Sequence, residues 1–146
     1  MIVKQGNDRG QEYVWAPIHN VDGAGSLTQN MAVCYVVNGS SITGPHAMIP
    51  AAVNFKNFAG VMNATVAING WGLSTIWGNA NSCLISNEGT SISILAGDAL
   101  IPVNVAGMSS VGGATQDWLN QKYVIITQTL GVSAAVTADN VVVRAI

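Results

Sequence analysis

The sequence predicts an all-β protein, a small antiparallel β-barrel or β-sandwich with an extended N-terminal segment and at most one short helix. Short runs rich in β-branched residues alternate with Gly, Asn and Asp turn residues, and the chain contains 16 glycines. Ser and Ile alternate in Ser91–Leu95, a pattern typical of a strand with one buried face. A separate strand is predicted before it, over residues 82–86.

Two Asn-Gly dipeptides mark the strongest hairpin signals. Asn38-Gly39 follows an apolar run, and Asn69-Gly70 separates predicted strands over 64–68 and 71–77. Both central residues of a type I′ turn need a positive φ, which Asn and Gly tolerate. In the strand after the second dipeptide, the period of two predicts one shared face for Trp71, Leu73, Thr75 and Trp77.

The second half of the chain continues the pattern of strands and turns. Ala96-Gly97-Asp98 has a turn composition and leads into a predicted strand over 99–103. A turn predicted over 138–140 precedes Val141–Ile146, which we expect to be a strand within the sheet. The single helical candidate, Thr115–Gln121, is at most two turns long.

The length of 146 residues predicts a single domain, 1–146. Met1–Gln11 is polar with little periodicity, and residues 21–26 have a loop composition. Residues 1–30 are therefore consistent with an extended arm, and residues 31–146 with the barrel body.

Charged side chains are scarce. They make up 8% of the residues, whereas about 25% is usual, and 49% of the chain is hydrophobic. A soluble monomer normally depends on a charged surface to stay dispersed. The composition therefore predicts an assembly subunit, part of whose apolar surface is covered by partners.

Nucleic-acid and membrane partners are not expected. The basic side chains are scattered singly and form no stripe: Lys4, Arg9, Lys56, Lys122 and Arg144. The apolar runs are far shorter than the roughly 20 residues of a bilayer helix. Since the N-terminus lacks the apolar segment of a secretory signal, we expect synthesis in a cytoplasm.

No catalytic, metal-binding or cofactor-binding pattern is found. His19 and His46 lie close to prolines in turn-like sequence, and we expect them to be loop histidines. Cys34 and Cys83 lie singly in apolar runs, which favours buried free thiols and leaves a disulfide open. The carboxylates lie mostly in turn-type or polar sequence: Asp8, Glu12, Asp22, Glu88, Asp98, Asp117 and Asp139. We therefore predict that the protein is not an enzyme and has no metal or cofactor.

The interface candidates are the four tryptophans, Trp15, Trp71, Trp77 and Trp118. Trp is enriched at the energetic centres of protein interfaces, and it is also found in cores where its indole N–H has a hydrogen-bond partner. Exposed rings would also serve as a surface on which sugars stack. Trp71 and Trp77 share a predicted strand face, so we expect them to share a role.

One stretch has the pattern of a known family. Phe58–Met62 is followed by the Gly-aromatic-Gly hairpin of Asn69–Gly72, by Ile76–Gly78 and by the Ala-Gly-Asp turn within Ile94–Val103. Over residues 58–107, about a third of the chain, these motifs resemble the small β-barrel decoration, or cement, proteins of tailed-phage heads.

The resemblance implies a virion structural protein of a bacteriophage. Such a protein would bind the major capsid protein on the outer face of the capsid, as a homotrimer at three-fold or quasi-three-fold positions, and would stabilise the shell. It would be synthesised in the host cytoplasm and located on the capsid exterior. Two alternatives stay open, a tail or fibre component of the virion and a carbohydrate-binding adhesive β-module.

Overall fold

A computed structural model of the chain describes residues 3–6, 12–36, 45–51, 57–85, 92–103, 107–109, 124–127, 129–132 and 136–145. Within these ranges the protein consists of strands joined by turns and loops, with no α-helix. The helix predicted over 115–121 and the hairpin predicted at Asn38-Gly39 lie outside the described residues.

The described residues form twelve strands. In chain order they are β1 (Val3–Gly6), β2 (Glu12–Asn20), β3 (Ala32–Tyr35), β4 (His46–Met48), β5 (Phe58–Met62), β6 (Trp71–Ile85), β7 (Ile92–Ile94), β8 (Ala99–Val103), β9 (Gly107–Ser109), β10 (Val124–Ile125), β11 (Leu130–Val132) and β12 (Val136–Arg144).

Five of these strands close into a barrel. Strand β2 pairs in parallel with β4, β4 pairs with β3, β3 with β5, and β5 with β6. The circuit closes where β6 pairs antiparallel with β2. The prediction of an all-β fold with a small barrel is therefore confirmed.

Strand β6 also belongs to a second circuit of pairings. Its 15 residues pair with β2 over 71–78 and with β12 over 77–85. Strands β10, β8 and β9 follow β12, and β9 returns to β6 where Ile85 pairs with Met108. Residues 82–85 are in a strand, as predicted, but they continue β6 and do not form a separate strand, because β12 supplies a partner along the whole second half of β6.

Gly78 accommodates the passage of β6 between the two circuits. Its φ is +89°, and a Cβ at this position would overlap the carbonyl oxygen of Glu12 on β2. Glycine usually weakens a strand, but here it permits the backbones of β6 and β2 to approach each other closely.

In the described part of the chain, the core consists of two hydrophobic clusters, and β5 lies between them. All five residues of β5 are buried. Ala59 and Met62 belong to the cluster inside the barrel, together with Ile18 and Leu27. Phe58 and Val61 join the second cluster, whose other members come mainly from β6, β8, β10 and β12. Burial on both faces explains why β5 shows no alternation of polar and apolar residues.

The prediction that residues 1–30 form an extended arm was wrong for residues 12–30. Strand β2 is part of the barrel wall, and Leu27 forms a bridge with Val66. Strand β1 pairs with β2 in the same chain. The inward-facing positions of β2 include Ala16 and Ile18, but the proline and histidine between and after them hid this alternation in the sequence.

The turn at Asn69 differs in type from the prediction. It spans residues 67–70 and is closed by a hydrogen bond of 2.9 Å from the N–H of Gly70 to the carbonyl of Ala67. Asn69 is the third residue of the turn, with a φ of 59°, so Asn69-Gly70 is not the central pair of a type I′ turn. Val66 makes only an isolated bridge, so the strand predicted over 64–68 is not formed.

Of the two turns predicted in the second half, one is confirmed. Gly97 has a φ of 95°, and the N–H of Asp98 donates to the carbonyl of Leu95 at 3.0 Å. The turn predicted over 138–140 was wrong, because β12 continues through it. The strand predicted at the C-terminus is present as the end of β12, which pairs with β6 within the sheet.

Candidate functional site

The outer face of the barrel wall carries two groups of aromatic side chains, and the alternation of β2 places them there. Ala16 and Ile18 are buried toward the core, whereas Trp15 and His19 are only half-buried and lie at positions of the opposite parity. Trp15 and His19 are four residues apart, about 13 Å at about 3.3 Å per residue. Each belongs to a separate row of side chains across neighbouring strands.

The first row crosses β4, β2 and β6. His19 is opposite His46 in the parallel β2–β4 pairing and opposite Trp71 in the β2–β6 pairing. The rings of His19 and Trp71 are stacked, with centroids 4.9 Å apart and planes at 19°. The rings of His19 and His46 are 5.2 Å apart and tilted by 55°. The three rings therefore form one continuous aromatic group.

The middle ring of this row is fixed in position. Nε2 of His19 lies 3.1 Å from the carbonyl oxygen of Asn69, to which it donates when it carries a proton. Nδ1 of the same ring is buried and has no hydrogen-bond partner among the described residues. The prediction that His19 and His46 are loop histidines was wrong: both are strand residues, placed next to each other by the parallel pairing.

Among the described residues, Trp71 is the most exposed large hydrophobic side chain, at 63%, although it stacks on His19. Ile68, in the turn that precedes Trp71, is also exposed. We call Ile68, Trp71, His19 and His46 the Trp71 surface. A ring held by stacking loses little conformational freedom when it is covered, which is the property of an interface anchor.

Trp77 does not share the face of Trp71, contrary to the prediction. Trp15 is opposite Thr75, and Val14 is opposite Trp77, so Ile76 has no counterpart on β2. This β-bulge shifts the alternation by one residue. Trp77 therefore lies on the Val14 side of the wall, where it is exposed. The guanidinium carbon of Arg144 lies 5.9 Å from the centroid of its ring.

The second row on the outer face lines a pocket. Trp15 is opposite Thr75, and Thr75 is opposite Val61, across β2, β6 and β5. A cavity of about 290 Å³ lies over this row. The rings of Tyr13 and Trp15 stand next to each other in its wall, with centroids 6.2 Å apart and planes at 9°.

The rest of the pocket is rich in amide groups. Asn30 and Gln29 come from the turn before β3, Asn63 from the end of β5, and Asn79 from the middle of β6. The hydroxyl of Thr75 donates a hydrogen bond of 2.7 Å to Oδ1 of Asn63, which directs the amino group of that amide to other partners. None of the described lining residues is charged.

The structure describes three of the four predicted interface candidates. Trp71 and Trp77 are exposed on opposite sides of the wall, Trp15 lines the pocket, and Trp118 lies outside the described residues. Sequence reasoning missed Tyr13 and the amides. The alternation in Tyr13-Val14-Trp15 is the signal that would have placed the two aromatic rings on one strand face.

Both cysteines are buried free thiols. Burial raises the pKa of the Cys34 thiol and that of the Cys83 thiol to about 12. Each thiol is therefore protonated at neutral pH and behaves as a small apolar side chain.

Across the described part of the chain, no three His, Cys, Asp or Glu side chains come close enough to form a metal site. No helix among the described residues combines the length and the apolar character that a bilayer crossing requires.

Comparison with protein families, with curated proteins and with solved structures found no match to this chain. The Trp71 surface and the pocket are therefore the features from which a function is inferred.

Proposed function

We propose that the protein is a viral structural protein of the decoration type, which binds the outer surface of a capsid and stabilises the shell. The observation that carries this proposal is the Trp71 surface. It presents an exposed tryptophan, already ordered by stacking on His19, on the wall of a small closed barrel. Ordered aromatic rings of this kind dominate the binding energy of many protein interfaces.

The composition supports a permanently covered surface. With 8% charged residues, the chain has few side chains that would oppose close packing against a neighbour. Ile68, which belongs to the Trp71 surface, is exposed as well, at 47%. Such apolar surface is stable in solution when other subunits cover it.

The mechanism is one of mass action. A protein that binds only the assembled shell, and not the free major capsid protein, lowers the free energy of the assembled state. No catalytic step is needed for this role. We assign the Trp71 surface to contact with the major capsid protein, on the capsid exterior.

Co-sedimentation tests this assignment. The purified chain is mixed with shells assembled from the major capsid protein of the same genome and pelleted. We expect saturable binding, lost in Trp71→Ala and kept in Leu95→Ala, which removes another exposed hydrophobic side chain, 55% exposed against 63% for Trp71, elsewhere on the protein. Binding to isolated tails or fibres rather than shells, or equal binding by both variants, would overturn the assignment.

Self-association is the second part of the proposal. We expect a homotrimer, and light scattering after gel filtration should give three times 15.1 kDa, about 45 kDa. A mass of 15.1 kDa at every concentration, on its own and on dissociation from shells, would overturn the trimer.

A further inference from the structure

The pocket over Trp15 has a chemistry that capsid binding by the Trp71 surface does not use. It lies about 13 Å from that surface along β2. Its described lining combines two aromatic rings with several side-chain amides and contains no charge. Ligand sites typically have this form, a concave surface with a few converging polar groups.

We propose that this pocket binds an uncharged saccharide. A sugar ring has an apolar face of C–H groups, which packs against the flat face of Trp15 or Tyr13. Its hydroxyls both donate and accept hydrogen bonds, and a side-chain amide offers both capabilities in return. The lining therefore matches a neutral, polyhydroxylated ligand in each of its chemical features.

The geometry prepares the amides for this role. The carbonyl oxygen of Asn63 already accepts from Thr75, so the amide is oriented and its N–H groups can donate to the ligand. Asn30 has a φ of 67° at the third position of its turn, and its backbone is held by hydrogen bonds to Met62 and Leu84. The side-chain amide of Asn63 and the backbone that carries Asn30 are thus held in place before any ligand arrives, which lowers the entropic cost of binding.

Two close backbone contacts maintain the pocket wall. Gly60 has a φ of +113°, and a Cβ there would overlap the carbonyl oxygen of Thr75. Gly78 makes the corresponding approach to β2 and directly precedes Asn79. The row of Trp15, Thr75 and Val61 therefore rests on three strands in tight contact, a rigid support for a stacking site.

The described lining residues carry no charge, which favours a neutral saccharide over charged ligands. An anionic sugar, a phosphate or a nucleotide would need a cationic partner, and a basic ligand would need a carboxylate. The volume of about 290 Å³ is just below the range for ligand pockets, about 300–1,000 Å³, which favours a small ligand. A short neutral oligosaccharide, with its terminal ring in the pocket, is the occupant that we infer.

The test is a titration of the full-length protein with maltotriose, cellotriose, chitotriose and N-acetyllactosamine. Binding is followed by calorimetry and by the NMR signal of the Trp15 indole N–H. We expect at least one of these sugars to bind at millimolar concentration or below and to shift that signal. Failure of all four to bind would overturn the proposal.

Variants locate the site. Asn79→Ala should weaken binding about tenfold, as expected for the loss of one well-placed hydrogen-bonding group. Asn57→Ala removes a half-buried amide before β5, outside the pocket, and should leave the affinity unchanged. Normal affinity in Asn79→Ala would overturn the assignment of the pocket.

The same experiment separates this inference from the proposed function. Trp71→Ala should keep its saccharide affinity and lose shell binding. Asn79→Ala should bind saccharide more weakly and keep its shell binding. Loss of saccharide binding in Trp71→Ala with retention in Asn79→Ala would place the sugar on the Trp71 surface and overturn the inference.

Discussion

The carboxylate of Asp22 accepts a hydrogen bond of 2.8 Å from the main-chain N–H of Ile49, 27 positions further along the chain. Asp22 follows β2 and Ile49 follows β4, so the bond joins the ends of the two parallel strands of the barrel. His19 and His46 are opposite each other in the same pairing. The buried carboxylate therefore supports the register on which the Trp71 surface depends.

Asp22 is predicted to be important for stability. Its other carboxylate oxygen accepts from the N–H of Ala24 at 2.8 Å, and the residue is 4% exposed. Asp22→Ala leaves two partly buried donors without an acceptor and should lower the free energy of unfolding by about 2–4 kcal/mol. Urea unfolding followed by tryptophan fluorescence measures this change.

Asp98 provides the matched control for Asp22. It accepts from the N–H of Leu95 at the same distance of 2.8 Å, but in an exposed turn. Asp98→Ala should cost no more than about 1 kcal/mol, because water replaces the lost acceptor. If both variants lose the same free energy of unfolding, then burial does not determine how much the Asp22 hydrogen bonds stabilise the protein.

Three glycine substitutions separate backbone strain from steric overlap. Gly23→Ala meets no neighbouring atom and should change stability by less than about 0.5 kcal/mol. Gly97→Ala has open space but a φ of +95°, and should cost about 1–2 kcal/mol. Gly78→Ala has both a positive φ and an overlap with Glu12, and should cost a further 1–3 kcal/mol or so.

Thermal or urea unfolding of the three variants gives this ranking directly. If Gly78→Ala is no more destabilised than Gly97→Ala, then β2 and β6 do not approach as closely as barrel closure requires.

The cysteines are predicted to be unreactive in the folded protein. The thiolate is the reactive form, and burial raises the pKa of Cys34 and of Cys83 to about 12. At pH 8 both thiols are therefore protonated as well as shielded. Iodoacetamide followed by mass spectrometry should show no addition to the native chain and two additions after unfolding in urea. Rapid alkylation of either thiol in the native protein would contradict the burial.

Local patterns in the sequence were sufficient for part of the fold. Alternation predicted the strand that contains Ile92–Ile94, and the Ala-Gly-Asp composition predicted the turn at Gly97. These features are determined by residues close together in the chain, so a short window contains the information.

The features that sequence reasoning missed depend on partners far away in the chain. The length of β6 is set by β12, and the place of β2 in the barrel is set by its pairings with β4 and β6. The bulge at Ile76, which separates the faces of Trp71 and Trp77, arises from the same register. The spacing of apolar residues within one strand does not reveal which distant strand it pairs with or in which register.

The candidate site shows the same division. The sequence identified the tryptophans as candidates from their residue type, but it did not predict the environment of each one. The stack of Trp71 on His19, and the contact of His19 with His46, require three strands that meet only in the folded barrel. The pocket likewise needs amides from a turn, β5 and β6 beside the rings of β2.

Electron cryo-microscopy of shells incubated with the protein tests the central claim, decoration of the capsid exterior, most directly. The shells are those assembled from the major capsid protein of the same genome. We predict added density on the outer surface at three-fold or quasi-three-fold positions, into which three copies of the barrel fit with Trp71 facing the shell. Shells that carry no added density at saturating protein, or density only at the tail vertex, would contradict the claim.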